Sequence, residues 1–116
     1  MIMIKKSSQI RYLMRSGLAG GEGNVGTNYL LEPEETHGKC RVCNLLTIEP
    51  GSSIGLHTHE KDVEIYYLLE GELCCTDNGK EDILYTGDVT FTGIGESHSL
   101  INKSDKPAKL LAIVIN

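Results

Sequence analysis

What most limits the fold open to this chain is its punctuation. After residue 40, short runs rich in Val, Ile, Leu and Tyr are separated by "EPGS", "EG", "DNGK", "TGD", "GIGE" and "NKSDKP", each carrying Gly, Pro, Asn or Asp. Such residues stop helices and shape tight turns, so the runs between them are too short for packed helices. "RVCNLLTI", "SIGLHTH", "VEIYYLLE", "ELCCTD", "EDILY", "VTFT", "HSLIN" and "AKLLAIVI" read as eight short strands. The pair Asn78-Gly79 marks a two-residue hairpin, because both central residues of a type I′ turn take positive φ. Strands recurring about every 8–12 residues predict an all-β fold, a small antiparallel sandwich or barrel.

The first part of the chain is less regular. "SSQIRYLMRSG" suits a short helix or an edge strand, "GLAGGEGNVG" a flexible loop, and "TNYLLEP" a strand. The loop contains a G-x-G-x-x-G spacing at Gly21, Gly23 and Gly26. As a dinucleotide fingerprint that spacing needs a strand before it and a helix after it, and "YLLEPEE" offers no helix. Residues 1–39 are expected to form an N-terminal extension and residues 40–116 the barrel, within a single folded domain, as suits 116 residues.

Composition closes several functional classes. A net charge of −5 and the lack of any Lys/Arg run argue against a nucleic-acid partner. The N-terminal stretch has no signal-peptide apolar region, and no apolar run approaches the about 18 residues of a membrane span, so a cytoplasmic protein with no membrane partner is expected. With no Trp and one Phe, the core must be mostly aliphatic. The thiols Cys40, Cys43, Cys74 and Cys75 are then reduced. Strand parity sends Cys40 and Cys43 to opposite faces, which suits small buried hydrophobes better than a zinc or redox pair.

The chemistry concentrates in "HTHEKDVE", residues 57–64. His57 and His59 share one face of a strand. If the next strand folds back after "EKD" as a hairpin, Glu64 faces them, and two imidazoles with a carboxylate converge as a divalent metal requires. His98, on a later strand, is the fourth candidate. The remaining histidine, His37, falls in a loop and is expected to be solvated.

Taken with its flanks, "GSSIGLHTHEKDVEIYYLLEG" (residues 51–71) resembles the first motif of the cupin family, with Gly51, His57, His59, Glu64 and Gly71 at the family's spacing. "GDVTFTGIGESHSLIN" (residues 87–102) resembles the second through Gly87, Gly95, His98 and Asn102, departing only at Gly93, where the family has proline. The resemblance implies a jelly-roll or double-stranded β-helix, and one divalent transition metal (Fe, Mn, Ni, Zn or similar) held by His57, His59, Glu64 and His98. Small cupins of this kind form homodimers, often by exchanging N-terminal strands, a part that "TNYLL" could play. Asn102 is expected to be a plain strand-end asparagine, with holding a turn or supporting the metal ligands as the alternatives.

Four protein ligands around an octahedral metal leave two positions for water, an oxygen-donor ligand or O₂. By parity Tyr66 and Leu68 point inward with Glu64, and Val42, Asn44, Leu46 and Ile48 form another inner row. The expected cavity is mostly apolar and suits a small organic molecule, with Tyr66 as a candidate catalytic acid or ligand contact. No Lys or Arg falls on an inner position, so a strongly anionic substrate such as a sugar phosphate is not expected. A metal-dependent oxygenase leads, with a non-redox isomerase or lyase and a non-catalytic small-molecule-binding protein as alternatives.

Overall fold

Alternation of buried and exposed side chains runs through most of the chain and produces two sheets packed face to face. A computed structural model describes residues 3–116. It contains ten strands: β1 (Arg11–Ser16), β2 (Asn24–Tyr29), β3 (Cys40–Ile48), β4 (Ser53–Thr58), β5 (Val63–Glu70), β6 (Glu72–Asp77), β7 (Lys80–Tyr85), β8 (Val89–Thr92), β9 (Ser97–Ile101) and β10 (Ala108–Ile115). A six-stranded sheet has the order β1-β2-β3-β10-β5-β8 and a four-stranded sheet the order β4-β9-β6-β7, with antiparallel neighbours throughout. The architecture is the expected all-β jelly-roll, and each of the eight expected strands is present.

Between the sheets lies an aliphatic core. Leu46, Ile48, Leu68, Leu110, Ala112 and Val114 come from the large sheet, and Ile54, Leu73, Cys75 and Leu100 from the small one. Each fully buried leucine or isoleucine contributes about 1.5–3 kcal/mol over leaving it in water. The β6–β7 hairpin turns at Asn78 and Gly79, whose φ angles of 49° and 84° are the positive pair that this turn demands.

Three expectations need correction. The helical alternative for "SSQIRYLMRSG" does not occur: a single 3₁₀ turn (Ser7–Gln9) leads into β1, which pairs with β2. The expected strand beginning at Thr27 starts earlier, at Asn24, and β2 is held between β1 and β3. Most important for the site, β4 and β5 are not a hairpin. β4 pairs with β9 in the small sheet, whereas β5 pairs with β10 and β8 in the large one. Residues 59–62 carry the chain across from one sheet to the other, so the ligands on either side of them converge from opposite walls.

Bulges adjust the parity of two strands at this end of the fold. In the β4–β9 ladder the register shifts between Ile54 and His57, so Ile54 and His57 both face inward although three positions apart. In the β3–β10 ladder Val42 faces Val114 and Cys40 faces Ile115, leaving Arg41 as the extra residue. This places Cys40 and Cys43 on the same face, contrary to the alternation expected for a regular strand. All four cysteines are free. Cys75 alone among them is fully buried, and burial pushes its thiol up to about 11.

Candidate metal centre

His57, His59, Glu64 and His98 meet where the two sheets close on each other, each offering one ligand atom within 4.8 Å of the others. His57 lies at the end of β4 directly opposite His98 on β9. His59 follows β4 and is fixed by its backbone, since its N–H donates to the Glu96 carbonyl (3.0 Å) and its own carbonyl accepts from the Gly95 N–H (2.6 Å). The same turn explains the glycine at 93: its N–H donates to the Glu96 carboxylate at 2.7 Å, a bond that proline has no hydrogen to make. Glu64 projects from β5 in the facing sheet.

The inner atoms crowd together. His98 Nε2 stands 2.9 Å from His57 Nε2, 3.0 Å from His59 Nε2 and 2.9 Å from Glu64 Oε1, while His59 Nε2 is 3.0 Å from the same carboxylate oxygen. Each ring's other nitrogen is already committed. His57 Nδ1 donates to the Gly55 carbonyl at 2.8 Å, and His59 Nδ1 faces Asp62 Oδ1 at 2.6 Å. The Thr92 hydroxyl donates to Asp77 Oδ1 at 2.7 Å, so its oxygen is left to accept from His98 Nδ1 at 2.8 Å. With the proton of each neutral ring on Nδ1, three bare Nε2 lone pairs and a carboxylate point at one another.

Four acceptors facing inward, with no donor among them, repel unless a cation lies between them. Atoms bonded at about 2.1 Å to a cation and at right angles around it stand about 3.0 Å apart, which is the spacing of most of these contacts. Imidazole nitrogens with one carboxylate oxygen are a donor set for a divalent transition metal. Burial works to raise the Glu64 carboxyl, but without a metal the hydrogen bonds that His57 and His98 donate once they take up a second proton, with the charges of His98 and His59, outweigh it and hold it at about 2. His57 is raised, chiefly by its contact with Glu64. The ligand set can hold a metal; the group that would bind supplies two positive charges and open coordination positions.

A cavity of about 190 Å³ opens beside these residues, with Val42, Asn44, Leu46, Ile54, Tyr66, Ala112 and Val114 among its lining. Val42, Asn44, Leu46, Ile48, Tyr66 and Leu68 face inward as their alternation predicts. Tyr66 is buried with its ring stacked on the His98 imidazole, 4.7 Å between centroids at 8°. Burial, and then the Glu64 charge, raise its phenol well above the usual range, so it keeps its proton. His37 is exposed in its turn and takes no part. Asn102 is buried away from the cluster. Its amide donates to Ile48 and Lys106 carbonyls and its oxygen accepts from Ser104, so it holds a turn.

Two cavity residues run against expectation. Arg15 of β1, opposite buried Val25, and Arg41 of β3 both line the cavity, where no inward Arg or Lys was expected. Arg41 escapes alternation because it is the bulged residue. Arg15 arrives on strands that add to the sheet before the motif region begins. Leu18 and Ala19 of the Gly-rich loop form another wall, so that loop closes the cavity instead of cradling a dinucleotide. Sequence reasoning also missed Asp62, Thr92 and Asp77. Asp62 had a signal, an acid three residues after a ligand histidine; Thr92 and Asp77 come from different strands and had none.

The chain is similar to known proteins. The family model of the cupin domain matches residues 44–114. The oxalate-binding protein of Thermotoga maritima is 43% identical over 113 residues, covering 97% of this chain and 93% of that one. A crystal structure of a predicted oxalate decarboxylase from Thermotoga maritima superposes with a TM-score of 0.92 at 43% identity, covering 97% and 98% of the two chains. More distantly, a cupin-superfamily sugar phosphate isomerase from Silicibacter pomeroyi has a TM-score of 0.69 at 25% identity, with 79% of this chain and 59% of that one covered.

Proposed function

This chain belongs to the cupin family, and on that premise we propose that it binds one divalent transition metal through His57, His59, Glu64 and His98 and, with that metal, a small carboxylate anion of the oxalate kind. The observation that carries the reading is the tautomer-locked cluster: three imidazole lone pairs and one ionised carboxylate converge with no proton to share. A bound metal supplies Lewis-acid positions for oxygen donors. The chain's own residues supply the rest. Arg15 and Arg41 bring positive charge to a cavity of about 190 Å³, which suits a small ligand, and the aliphatic wall keeps water sparse around it. A relative at 43% identity carries the name of an oxalate-binding protein, which agrees with this chemistry.

Binding without turnover is favoured over the oxygenase reading by the name of the relative at 43% identity, an oxalate-binding protein. Tyr66, the candidate acid, is a buried wall stacked on the His98 ring. The test is calorimetry on chelator-stripped protein reloaded with Mn(II), Fe(II), Co(II), Ni(II) or Zn(II), followed by oxalate, with O₂ uptake and CO₂ release recorded in parallel. Near one metal per chain, and oxalate recovered unchanged, support the reading. Metal-dependent consumption of O₂ or release of CO₂ replaces it with catalysis.

Two companion proposals concern context. The free thiols and the acidic surface suit the cytoplasm. Among the described residues no helix is long and apolar enough to cross a membrane. The outward face of the large sheet supports a homodimer, with β1 and β2 of the N-terminal segment adding strands to that sheet at its edge.

A further inference from the structure

The loop that crosses between the sheets does more than connect two metal-ligand candidates. Within it Asp62 is nearly buried, with its side chain 14% exposed, and both carboxylate oxygens are engaged. Oδ1 accepts from His59 Nδ1 at 2.6 Å, and Oδ2 accepts from Arg41 Nε at 2.9 Å. Arg41 is the residue that the β3 bulge lifts out of alternation, and it lines the same cavity as His57, His59 and Glu64. Among the described residues no hydrogen bond occupies its terminal Nη groups, and these form the fork that a carboxylate accepts.

We propose that Asp62 is a positioning residue that ties the metal site to the anion-binding arginine: one oxygen fixes the His59 ring with its Nε2 lone pair inward, and the other holds Arg41 with its fork toward the cavity. The proposal rests on the reading of a metal-bound carboxylate ligand given above. It follows from the two arms sharing one carboxylate. An acid serving His59 alone needs one oxygen, and a surface ion pair serving Arg41 alone does not need to lie against an imidazole. A bulge that redirects a side chain beside a site is a common device; here it delivers Arg41 to the acid that already steadies a ligand histidine. Orientation by a carboxylate is worth about 10–100-fold in metal affinity at comparable sites.

The two arms separate by substitution. Asp62→Ala removes both. Asp62→Asn keeps an oxygen for His59 but turns an amide N–H₂ toward Arg41, so it breaks the arginine arm preferentially. Arg41→Met removes that arm from the other side. Mn(II) affinity is measured first by calorimetry on each stripped protein, and oxalate affinity second, at saturating Mn(II). Circular dichroism and melting of the metal-free proteins verify that each is folded. The expected result is that Asp62→Ala weakens Mn(II) by about 10–100-fold, Asp62→Asn by less, and Arg41→Met hardly at all. At saturating Mn(II), all three weaken oxalate by a similar factor, about tenfold or more, as befits loss of a charge-assisted hydrogen bond. The double variant Asp62→Asn with Arg41→Met is no weaker for oxalate than either single one.

Full oxalate affinity in metal-saturated Asp62→Asn overturns the role of Asp62 while leaving the binding function intact. So does full additivity of the Asp62→Asn and Arg41→Met losses, since independent groups add. Wild-type protein that takes up Mn(II) and ignores oxalate overturns both the proposed function and this coupling.

Discussion

At the scale of single residues, the site is governed by where protons are placed. His98 is fully buried, and its Nδ1–H is received by a Thr92 hydroxyl whose own proton is engaged by Asp77. Thr92→Val keeps the shape and removes the acceptor. The imidazole then loses its only fixed reason to carry its proton on Nδ1, and a proton on Nε2 blocks the lone pair. Metal affinity is expected to fall by about 10–100-fold, read by calorimetry, and the metal-free protein to lose about 1–3 kcal/mol for the buried unpaired donor, read by urea denaturation. The raised His57 gives a pH prediction with a definite sign. In the metal-free protein its protonated form is favoured by folding, so that stabilisation is full below its ordinary value of 6.5 and is lost as pH rises through the raised one. A metal needs the same ring deprotonated. The rise in melting temperature on adding Mn(II) is therefore expected to be larger at pH 8 than at pH 6, with Glu64, held at about 2, ionised at both.

At the scale of elements, ordinary alternation carries the core and bulges carry the site. All eight strands after residue 40 were legible because each is bounded by turn residues, and the inner rows of β3 and β5 followed from period two. The four ligand candidates were legible through motif spacing, which does not depend on which strands pair. What the sequence did not disclose is long-range or irregular: that β4 and β5 belong to different sheets, that Arg41 is extruded from β3, and that a Gly-rich loop folds over β4. Gly55 shows how tight that last contact is, since a Cβ there meets the Ala19 carbonyl oxygen and, at 2.9 Å, the Gly21 backbone nitrogen. Both neighbours are backbone and cannot swing away. Gly55→Ala is expected to destabilise by about 1–3 kcal/mol, as overpacking does, and to weaken metal binding by disturbing the carbonyl that receives His57 Nδ1–H. Chemical denaturation and metal titration of the same variant check both effects.

At the scale of the whole molecule, the outward side of the large sheet is unusually apolar. Cross-strand partners Tyr67 and Val89, and Ile65 and Phe91, continue through Leu111 and Ile113 to Leu45, and Tyr67, Val89 and Phe91 are exposed. Contiguous apolar surface of this kind marks an interaction site more often than a free face, and a self-complementary sheet face suits a two-fold dimer. Light scattering at micromolar concentration is expected to give twice the chain mass, and Phe91→Asp with Val89→Lys the monomer; a wild-type monomer contradicts the dimer without touching the site. The site itself stands or falls on whether three imidazoles and a carboxylate share one cation. X-ray absorption at the metal edge of stoichiometrically Zn(II)- or Mn(II)-loaded protein tests this most directly. The expected spectrum has about three imidazole nitrogens with oxygen completing the shell, at about 2.0–2.2 Å. A shell of oxygens alone, with no imidazole scattering, contradicts it.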